Sequence, residues 1–236
     1  VEKPGEWQDL PEGFADAVGM VQSCAGDDQS NFESTCVHLH PEWIEASDNM
    51  QLCRWPIKTG LSKPVLVRRD AIKHVASLGM TKWSETESWV HFRNKSGCVL
   101  SCRRWTEEYP DMGDFLEVTG ESAKLPKSLG KACEIAEQFT KENAEGLMVR
   151  VLLKPGKLRI IGLGINGEYS EWKGATYSGP PVDFLILPKI LSELVTRHNE
   201  CTVSSERIKV NGGSFTWVAC LHKPQSSEDS GQAEGE

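Results

Sequence analysis

The residues that come nearest to a catalytic motif are Gly162, Gly164 and Gly167, which match the GxGxxG pattern of dinucleotide-binding loops. That chemistry needs a helix to begin at the last glycine, because the N-terminus of the helix holds the pyrophosphate. Residues 168–173 instead alternate like a strand, and the alternation ends at Gly174. The pattern therefore predicts a glycine-rich hairpin turn, and we expect no cofactor.

Other residues with chemical potential are few. His38 and His40 share one face of a predicted strand, but a metal site needs a third suitable ligand, so we expect no metal. The eight cysteines form no CxxC pair, and we interpret them as reduced thiols packed like small apolar side chains. The sequence contains neither a GxSxG nor a P-loop motif. We therefore predict no catalytic residues and no enzymatic activity.

The charge of the chain limits how it can contact other molecules. The formal net charge is −8 over 236 residues, of which residues 226–236 contribute −4. We expect residues 224–236 to form a disordered acidic tail, because such a segment cannot bury an apolar core. An acidic body argues against a tight grip on nucleic acid over the whole surface, but it is compatible with one locally basic face. No apolar run approaches the length of a membrane span and there is no signal peptide, so we expect a cytoplasmic protein without a membrane partner.

One helical pattern occurs four times along the chain. The predicted helices start near residues 11, 70, 126 and 188, which gives steps of 59, 56 and 62 residues. A period near 60 that contains one helix and several antiparallel strands is typical of a repeated supersecondary unit. We therefore predict an α+β fold with two pseudo-symmetric domains, each built from two helix-plus-antiparallel-strand repeats. The predicted division is a lead-in at 1–6, a domain at 7–112, a second domain at 113–223 and the tail.

Short strands fill the space between the predicted helices, which cover residues 10–24, 67–79, 125–139 and 187–199. Alternating side chains and turn residues define these strands. They are residues 34–39, 43–46, 51–55, 65–67, 89–93, 99–103, 115–118, 147–153, 158–162, 168–173, 182–186, 201–204, 207–210 and 215–221.

The helices also carry the basic residues that could contact phosphate. Each cation alone is typical of a solvated helix face, and Glu134, Glu137 and Glu193 on the same helices reduce the positive charge. The first predicted helix has Glu12 and Asp16 and no basic residue. Any contact with phosphate should therefore be diffuse and independent of base sequence. The candidate residues are Arg69, Lys73, Lys124, Lys127, Lys131, Lys189 and Arg197.

Five short motifs in a fixed order resemble one known family. They are the turn at 46–53, the strand entering a helix at 65–69, the Tyr-Pro-Asp turn at 109–112, the Tyr-x-Gly at 177–179 and the closing strand at 215–221. Together with the helix spacing, they resemble the middle and C-terminal domains of the bacterial-type DNA sliding clamp, the β subunit of DNA polymerase III. The resemblance runs from Trp7 to Leu221. Met50 and Gln51 stand where the family has His-Arg, and Ala219 stands where it usually has proline.

The resemblance implies a replication processivity factor. Clamps of this family close head to tail into a ring whose helices line a hole, and the ring holds double-stranded DNA topologically and without sequence specificity. The expected partners are DNA polymerase, the clamp loader and other clamp-binding peptides. Because the family's first domain is missing, the chain is either a ring homo-oligomer or a fragment of a longer clamp subunit, and its divergence fits a phage or mobile-element version. The alternative is a regulator or decoy with the clamp fold that binds replisome partners without encircling DNA.

The resemblance also implies a peptide-binding pocket between the two domains. The alternative for the same residues is that they only pack the two domains together. The candidate residues are Ser47, Asn49, Met50, Gln51, Leu52, Pro110, Phe115, Val218, Ala219 and Leu221.

Overall fold

The computed structural model describes residues 1–27, 31–140 and 147–224, and these divide into two compact units. The first unit comprises Val1–Glu117 and Asn211–Val218, and the second comprises Val118–Val210 and the described residues from Ala219 onward. The acidic tail from residue 225 onward lies outside the described residues, so its predicted disorder stays a prediction.

The first unit is an antiparallel sheet with short helices on one face. Its strands run in the order β1-β6-β7-β8-β5-β2-β3-β4. The helices are α1 (Phe14–Val21), α2 (Arg69–Ile72), α3 (His74–Ser77) and α4 (Gly113–Leu116), with 3-10 turns at Gln22–Cys24 and Glu33–Thr35. The strands are β1 (Gln8–Asp9), β2 (Cys36–Leu39), β3 (Trp43–Ser47), β4 (Gln51–Pro56), β5 (Val65–Arg68), β6 (Met80–Glu85), β7 (Trp89–Asn94) and β8 (Val99–Trp105).

The core of this unit lies between α1 and the sheet. The apolar side of α1 buries Phe14, Val18 and Val21, as the i, i+4, i+7 spacing predicts. Phe14 packs against Phe92 of β7, with 6.0 Å between the ring centroids. The helix begins only at Phe14 because Gly13 has a φ of 79°, a left-handed conformation that interrupts the helical backbone.

The second unit has two antiparallel sheets and two longer helices. One sheet has the order β12-β11-β10-β14, and the other contains β16-β15-β9-β13. The helices are α5 (Leu129–Thr140) and α6 (Pro188–Arg197). The strands are β9 (Glu121–Lys124), β10 (Val149–Lys154), β11 (Lys157–Gly164), β12 (Gly167–Gly174), β13 (Thr176–Tyr177), β14 (Val182–Ile186), β15 (Glu200–Val203) and β16 (Arg207–Asn211), and β17 (Thr216–Cys220) is divided between the two units.

The helices α5 and α6 pack against each other through small side chains. Gly130 of α5 lies so close to α6 that a methyl group there would be 3.3 Å from Ser192 Oγ. α6 begins at Pro188, which fits the first helical turn because its missing N–H would have no partner there. The buried stripe of α6 comprises Ile190, Leu191, Leu194 and Val195, as the sequence predicts.

The GxGxxG segment is a hairpin, and this confirms the sequence prediction. Gly164 at the end of β11 pairs with Gly167 at the start of β12, so a strand rather than a helix follows the motif. The glycines instead allow α5 to lie directly on β11. A methyl group on Gly162 would lie 2.7 Å from Ala136 Cα, and one on Gly164 would lie 3.0 Å from the carbonyl carbon of Phe139. Gly162 and Gly164 therefore serve the packing of a helix on a sheet.

Three predictions about elements need correction. The strand predicted at 115–118 is wrong, because residues 113–116 form α4 and residues 117–118 belong to neither a helix nor a strand. Asp111 Oδ1 accepts the N–H of Gly113 at 2.9 Å, which stabilises the beginning of that helical turn. The second predicted helix is two short helices interrupted at Lys73, and the third begins at Leu129, which leaves Lys127 in the turn before it. The strands β1, β6, β9 and β13 were not predicted.

Candidate DNA-facing and peptide-binding residues

Three predicted phosphate-contacting lysines lie exposed around α5 and α6. They are Lys127, Lys131 and Lys189. Across residues 1–27, 31–140 and 147–224, the structure gives none of the three a salt bridge. Exposed ammonium groups of this kind attract phosphate at long range without fixing it in one position. The second unit therefore has a modestly basic helical surface.

The other four predicted cations already have carboxylate partners. Lys124 binds Glu200 at 2.7 Å, and this hydrogen bond lowers the pKa of the Glu200 carboxyl. Arg197 lies 3.4 Å from Glu193, one turn away on α6. Exposed pairs of this type contribute little to stability, but they reduce the positive charge that a distant phosphate would experience.

In the first unit, both predicted cations are paired. Arg69 donates to the backbone oxygen of Ala25 at 2.8 Å and also binds Asp27. Lys73 binds Asp70 at 2.9 Å, and it is the main cause of the lowered pKa of Asp70. Among the seven candidate phosphate-contacting residues, those without a carboxylate partner therefore all lie in the second unit.

The candidate peptide-binding residues of the first unit begin in a tight turn. Asp48 Oδ1 accepts the N–H groups of both Met50 and Gln51 at 3.0 Å. Asn49 adopts a φ of 68°, which asparagine tolerates better than most residues. The turn leaves Asn49 exposed and the flexible Met50 side chain half-buried at the surface. It is thus a rigid backbone that presents an adaptable apolar side chain.

Several of the other candidates are buried. Ser47 and Leu52 pair across β3 and β4, and both are buried, as is Val218. In the second unit, Ala219 and Leu221 are buried as well. Pro110 is exposed and Phe115 half-buried, so the accessible candidates are Asn49, Met50, Pro110 and Phe115.

Trp217 is a residue of this region that sequence reasoning missed. Its indole Nε1 donates to Gln51 Oε1 at 3.1 Å, and Gln51 Nε2 donates to Asp48 Oδ2 at 3.1 Å. This chain of bonds joins the turn to the closing strand, 166 residues apart in sequence. The buried indole N–H of Trp217 and the buried amide oxygen of Gln51 thus satisfy each other's hydrogen-bonding capacity. Neither sequence segment by itself indicates this pairing.

A second missed feature is a buried carboxylate on the same sheet. Glu45 is 2% exposed, and His38, Trp43 and Arg54 all donate to it, at distances from 2.7 to 3.0 Å. Burial raises the pKa of this carboxyl, but the hydrogen bond from His38 and the charge of Arg54 outweigh burial, so the net pKa is lowered. Glu45 is therefore an ionised anchor for three side chains on this face.

Two cavities open on the separate units. One of about 450 Å³ in the first unit is lined by His38, Lys63, Glu107 and Tyr109, among others. One of about 530 Å³ in the second unit is lined by Tyr177, Pro180, Asp183 and Ser204, among others. Neither lining includes a candidate peptide-binding residue.

Clusters of metal-ligating side chains and membrane-spanning helices are both absent from the described part of the chain. There, no three His, Cys, Asp or Glu side chains are grouped so that they could hold a metal ion. In the same residues, no helix is long and apolar enough to cross a membrane. The thiols of Cys102, Cys133 and Cys201 are buried, and burial raises their pKa values to about 12. These thiols pack as apolar side chains, as the sequence predicts.

Comparison with known proteins identifies the fold. No protein-family model and no curated protein sequence matches the chain. The chain nevertheless has the fold of bacterial DNA polymerase sliding clamps, as the motif order predicts.

Three crystal structures illustrate the likeness. The DNA polymerase III subunit beta from Pseudomonas aeruginosa matches with a TM-score of 0.80 and 13% identity, over 95% of this chain and 68% of that chain. The Pseudomonas aeruginosa sliding clamp bound to griselimycin matches with a TM-score of 0.78 and 12% identity, over 95% and 67% of the two chains. The griselimycin-bound clamp from Bartonella birtlesii matches with a TM-score of 0.76 and 13% identity, over 95% and 68%. At these identities, the likeness establishes the fold.

Proposed function

We propose that the chain is part of a DNA sliding clamp, a non-enzymatic processivity factor that encircles double-stranded DNA. The observation that carries the proposal is a fold likeness to bacterial clamps over 95% of the chain. Because the chain spans 68% of the Pseudomonas aeruginosa subunit, closing a ring requires further copies of it or further domains. This proposed role in replication would place the protein in the cytoplasm.

The charges on and beside the helices are consistent with a ring that retains DNA by encircling it and not by binding it tightly. Lys127, Lys131 and Lys189 are exposed, while the two candidate phosphate-contacting residues of the first unit, Arg69 and Lys73, are paired with carboxylates. A few unpaired lysines attract the phosphate backbone without a fixed geometry, so they present little barrier to sliding. A ring can tolerate this weak attraction because the closed path, and not affinity, would keep the DNA inside.

A topological experiment tests this function. We expect the protein, loaded onto nicked circular DNA by the clamp loader of its host, to remain bound during gel filtration and to be lost when the DNA is linearised. Triple replacement of Lys127, Lys131 and Lys189 by glutamine should reduce loading while leaving the dependence on circularity. Equal retention on circular and linear DNA would contradict encirclement.

We also propose that the accessible residues around Met50 take part in docking partner peptides, including those of a polymerase and a clamp loader. The support is a rigid turn, fixed by Asp48, that presents an adaptable apolar side chain beside Asn49. Pro110 and Phe115 add further accessible apolar surface in the same unit. Buried candidates such as Leu52 and Val218 would act only by supporting these residues.

Replacement of Met50 by lysine should weaken ligand binding at this site by about tenfold, because a half-buried apolar contact is replaced by a charge. Griselimycin is a suitable probe, since it is bound in two of the matching clamp structures. The measurement is calorimetric titration, with Leu78→Lys as a control, because Leu78 is an exposed apolar residue at the end of α3. If both variants bind griselimycin like the wild type, Met50 does not belong to the site.

A second candidate function is a regulator that has the clamp fold and binds replisome partners without encircling DNA. The paired cations of the first unit and the acidic residues Glu12 and Asp16 favour it. The circular-DNA experiment distinguishes the two functions. A regulator would bind partner peptides, but its retention on DNA would not depend on whether the DNA is a closed circle.

A further inference from the structure

One face of the first unit's sheet carries an aromatic–arginine ladder, formed by Trp89, Arg103, Trp105, Phe32 and Arg68. The guanidinium carbon of Arg103 lies 6.0 Å from the ring of Trp89 and 5.2 Å from the ring of Trp105. Trp105 meets Phe32 edge to face at 5.1 Å, and Arg68 lies 5.7 Å from the ring of Phe32. Aromatic rings and guanidinium groups thus form a continuous row over three strands and the loop that precedes β2.

The strand registers place the strand residues of this ladder on one face. Trp89 of β7 pairs directly with Arg103 of β8, so the two side chains project to the same side. Trp105 lies two residues after Arg103 and pairs with Leu66 of β5, and Arg68 lies two residues after Leu66. The intervening residues of β7 and β8, such as Val90 and Cys102, are buried in the core on the opposite face.

The two arginines of the ladder differ from most others in the protein. Arg54, Arg69, Arg104, Arg150, Arg159 and Arg197 each bind a carboxylate. For the side chains of Arg68 and Arg103, the described part of the chain shows no hydrogen bond and no salt bridge, and both guanidinium groups lie over aromatic rings. Arg68 also contributes weakly to the lowered pKa of the exposed Asp70. Stacking on a ring holds a guanidinium plane and leaves its edge donors available. Arg103 is exposed and Arg68 half-exposed, so both can reach an incoming ligand.

The composition of the ladder indicates a protein partner. Tryptophan and arginine dominate the binding energy of protein interfaces, and a stacked guanidinium binds a carboxylate through two parallel hydrogen bonds. Acidic side chains also border the ladder, since Glu33 follows Phe32 and the exposed Glu107 lies two residues after Trp105. A nucleic-acid strand carries negative charge at every step and would be repelled by these carboxylates, whereas a peptide can place its acids only opposite the arginines.

We propose that the ladder is a docking surface for an acidic peptide segment of a partner protein. Arg68 and Arg103 each bind a carboxylate, and Trp105 packs against an apolar side chain of the same peptide. The charge complementarity between two unpaired guanidinium groups and carboxylates carries this assignment. Since the ladder lies wholly in the first unit, the assignment does not depend on ring closure or on the site around Met50.

Binding of synthetic peptides to the full chain tests the proposal. The probe is a short peptide in which aspartate alternates with phenylalanine, with the matching asparagine peptide and oligothymidylate as comparisons. The readouts are the indole and arginine Nε–H signals of the labelled protein in two-dimensional NMR, which report Trp105 and Arg103 separately from the rest of the surface. We expect the aspartate peptide to shift these signals, and the other two ligands to leave them in place.

Replacement of both Arg68 and Arg103 by glutamine should weaken binding of the aspartate peptide by at least about tenfold, because each charge-assisted pair is lost. Replacement by lysine should restore only part of the affinity, since lysine lacks the planar fork. The control is Arg150→Gln, which removes the same charge from an arginine whose donors are already held by Asp183 at 2.8 and 2.6 Å. The proposal is overturned if the double variant binds like the wild type, if the asparagine peptide binds equally, if oligothymidylate is preferred, or if no ladder signal moves at millimolar peptide.

Discussion

Replacement of Gly162 or Gly164 by alanine should lower the free energy of unfolding by about 3 kcal/mol, as expected when a close-packed contact is overfilled. A methyl group on Gly162 would lie inside the contact distance of the Ala136 carbonyl, and one on Gly164 inside that of the Phe139 carbonyl. The obstacle in each case is helix backbone, which cannot turn aside as a flexible side chain can. The helix α5 would have to move away from β11 and lose its close packing. Urea denaturation followed by circular dichroism measures the effect.

Gly174→Ala is the matched control for this prediction. Gly174 lies at the end of β12 in the same sheet, and a methyl group there would have no neighbour within 4 Å. Alanine at this position should leave the free energy of unfolding unchanged or raise it slightly, because glycine loses more conformational freedom on folding. Equal effects at Gly164 and Gly174 would show that α5 does not lie directly on β11.

The same glycines show how far sequence reasoning extends. The alternation of residues 168–173 was sufficient to predict a hairpin and to exclude a dinucleotide loop, since strand periodicity is a local property. The reason for the glycines was not predictable, because the backbone that excludes a side chain comes from α5, more than twenty residues earlier in the chain. A local pattern therefore identified the element, and the tertiary contact explains its composition.

The candidate DNA-facing residues illustrate a similar limit. The sequence predicts Arg69 and Lys73 on the second helix as candidates for contact with phosphate, but the partner of Arg69 is Asp27, 42 residues away. Pairing of this kind depends on the fold, so charge counting along a helix overestimated the positive surface of the first unit. In the second unit, Lys131 and Lys189 are exposed as expected, because helical periodicity alone separates their polar face from the buried stripe. Lys127 is exposed as well, but it lies in the turn before α5, so helical periodicity does not account for its exposure.

Replacement of Glu45 by alanine should lower the free energy of unfolding by about 3 to 5 kcal/mol, the range for removing one partner of a buried charge network. Glu45 accepts hydrogen bonds from His38, Trp43 and Arg54. Its loss would leave the guanidinium group of Arg54 and the indole N–H without an acceptor beneath the surface. Glu200→Ala is the control, because Glu200 is exposed and pairs with the exposed Lys124, so its removal should have little effect.

The pH dependence gives this prediction a second readout. The pKa of Glu45 in the folded protein is lowered from its usual 4.5. The folded protein therefore stabilises the ionised carboxylate of Glu45 relative to the unfolded chain. The stability it contributes is therefore fully present above pH 4.5 and is lost as the pH falls through the folded-state pKa. The difference in unfolding free energy between wild type and Glu45→Ala should accordingly be largest at neutral pH and shrink in acid. A difference that stays constant from neutral to acidic pH would mean that the charge of Glu45 does not stabilise the fold, and that only its packing matters.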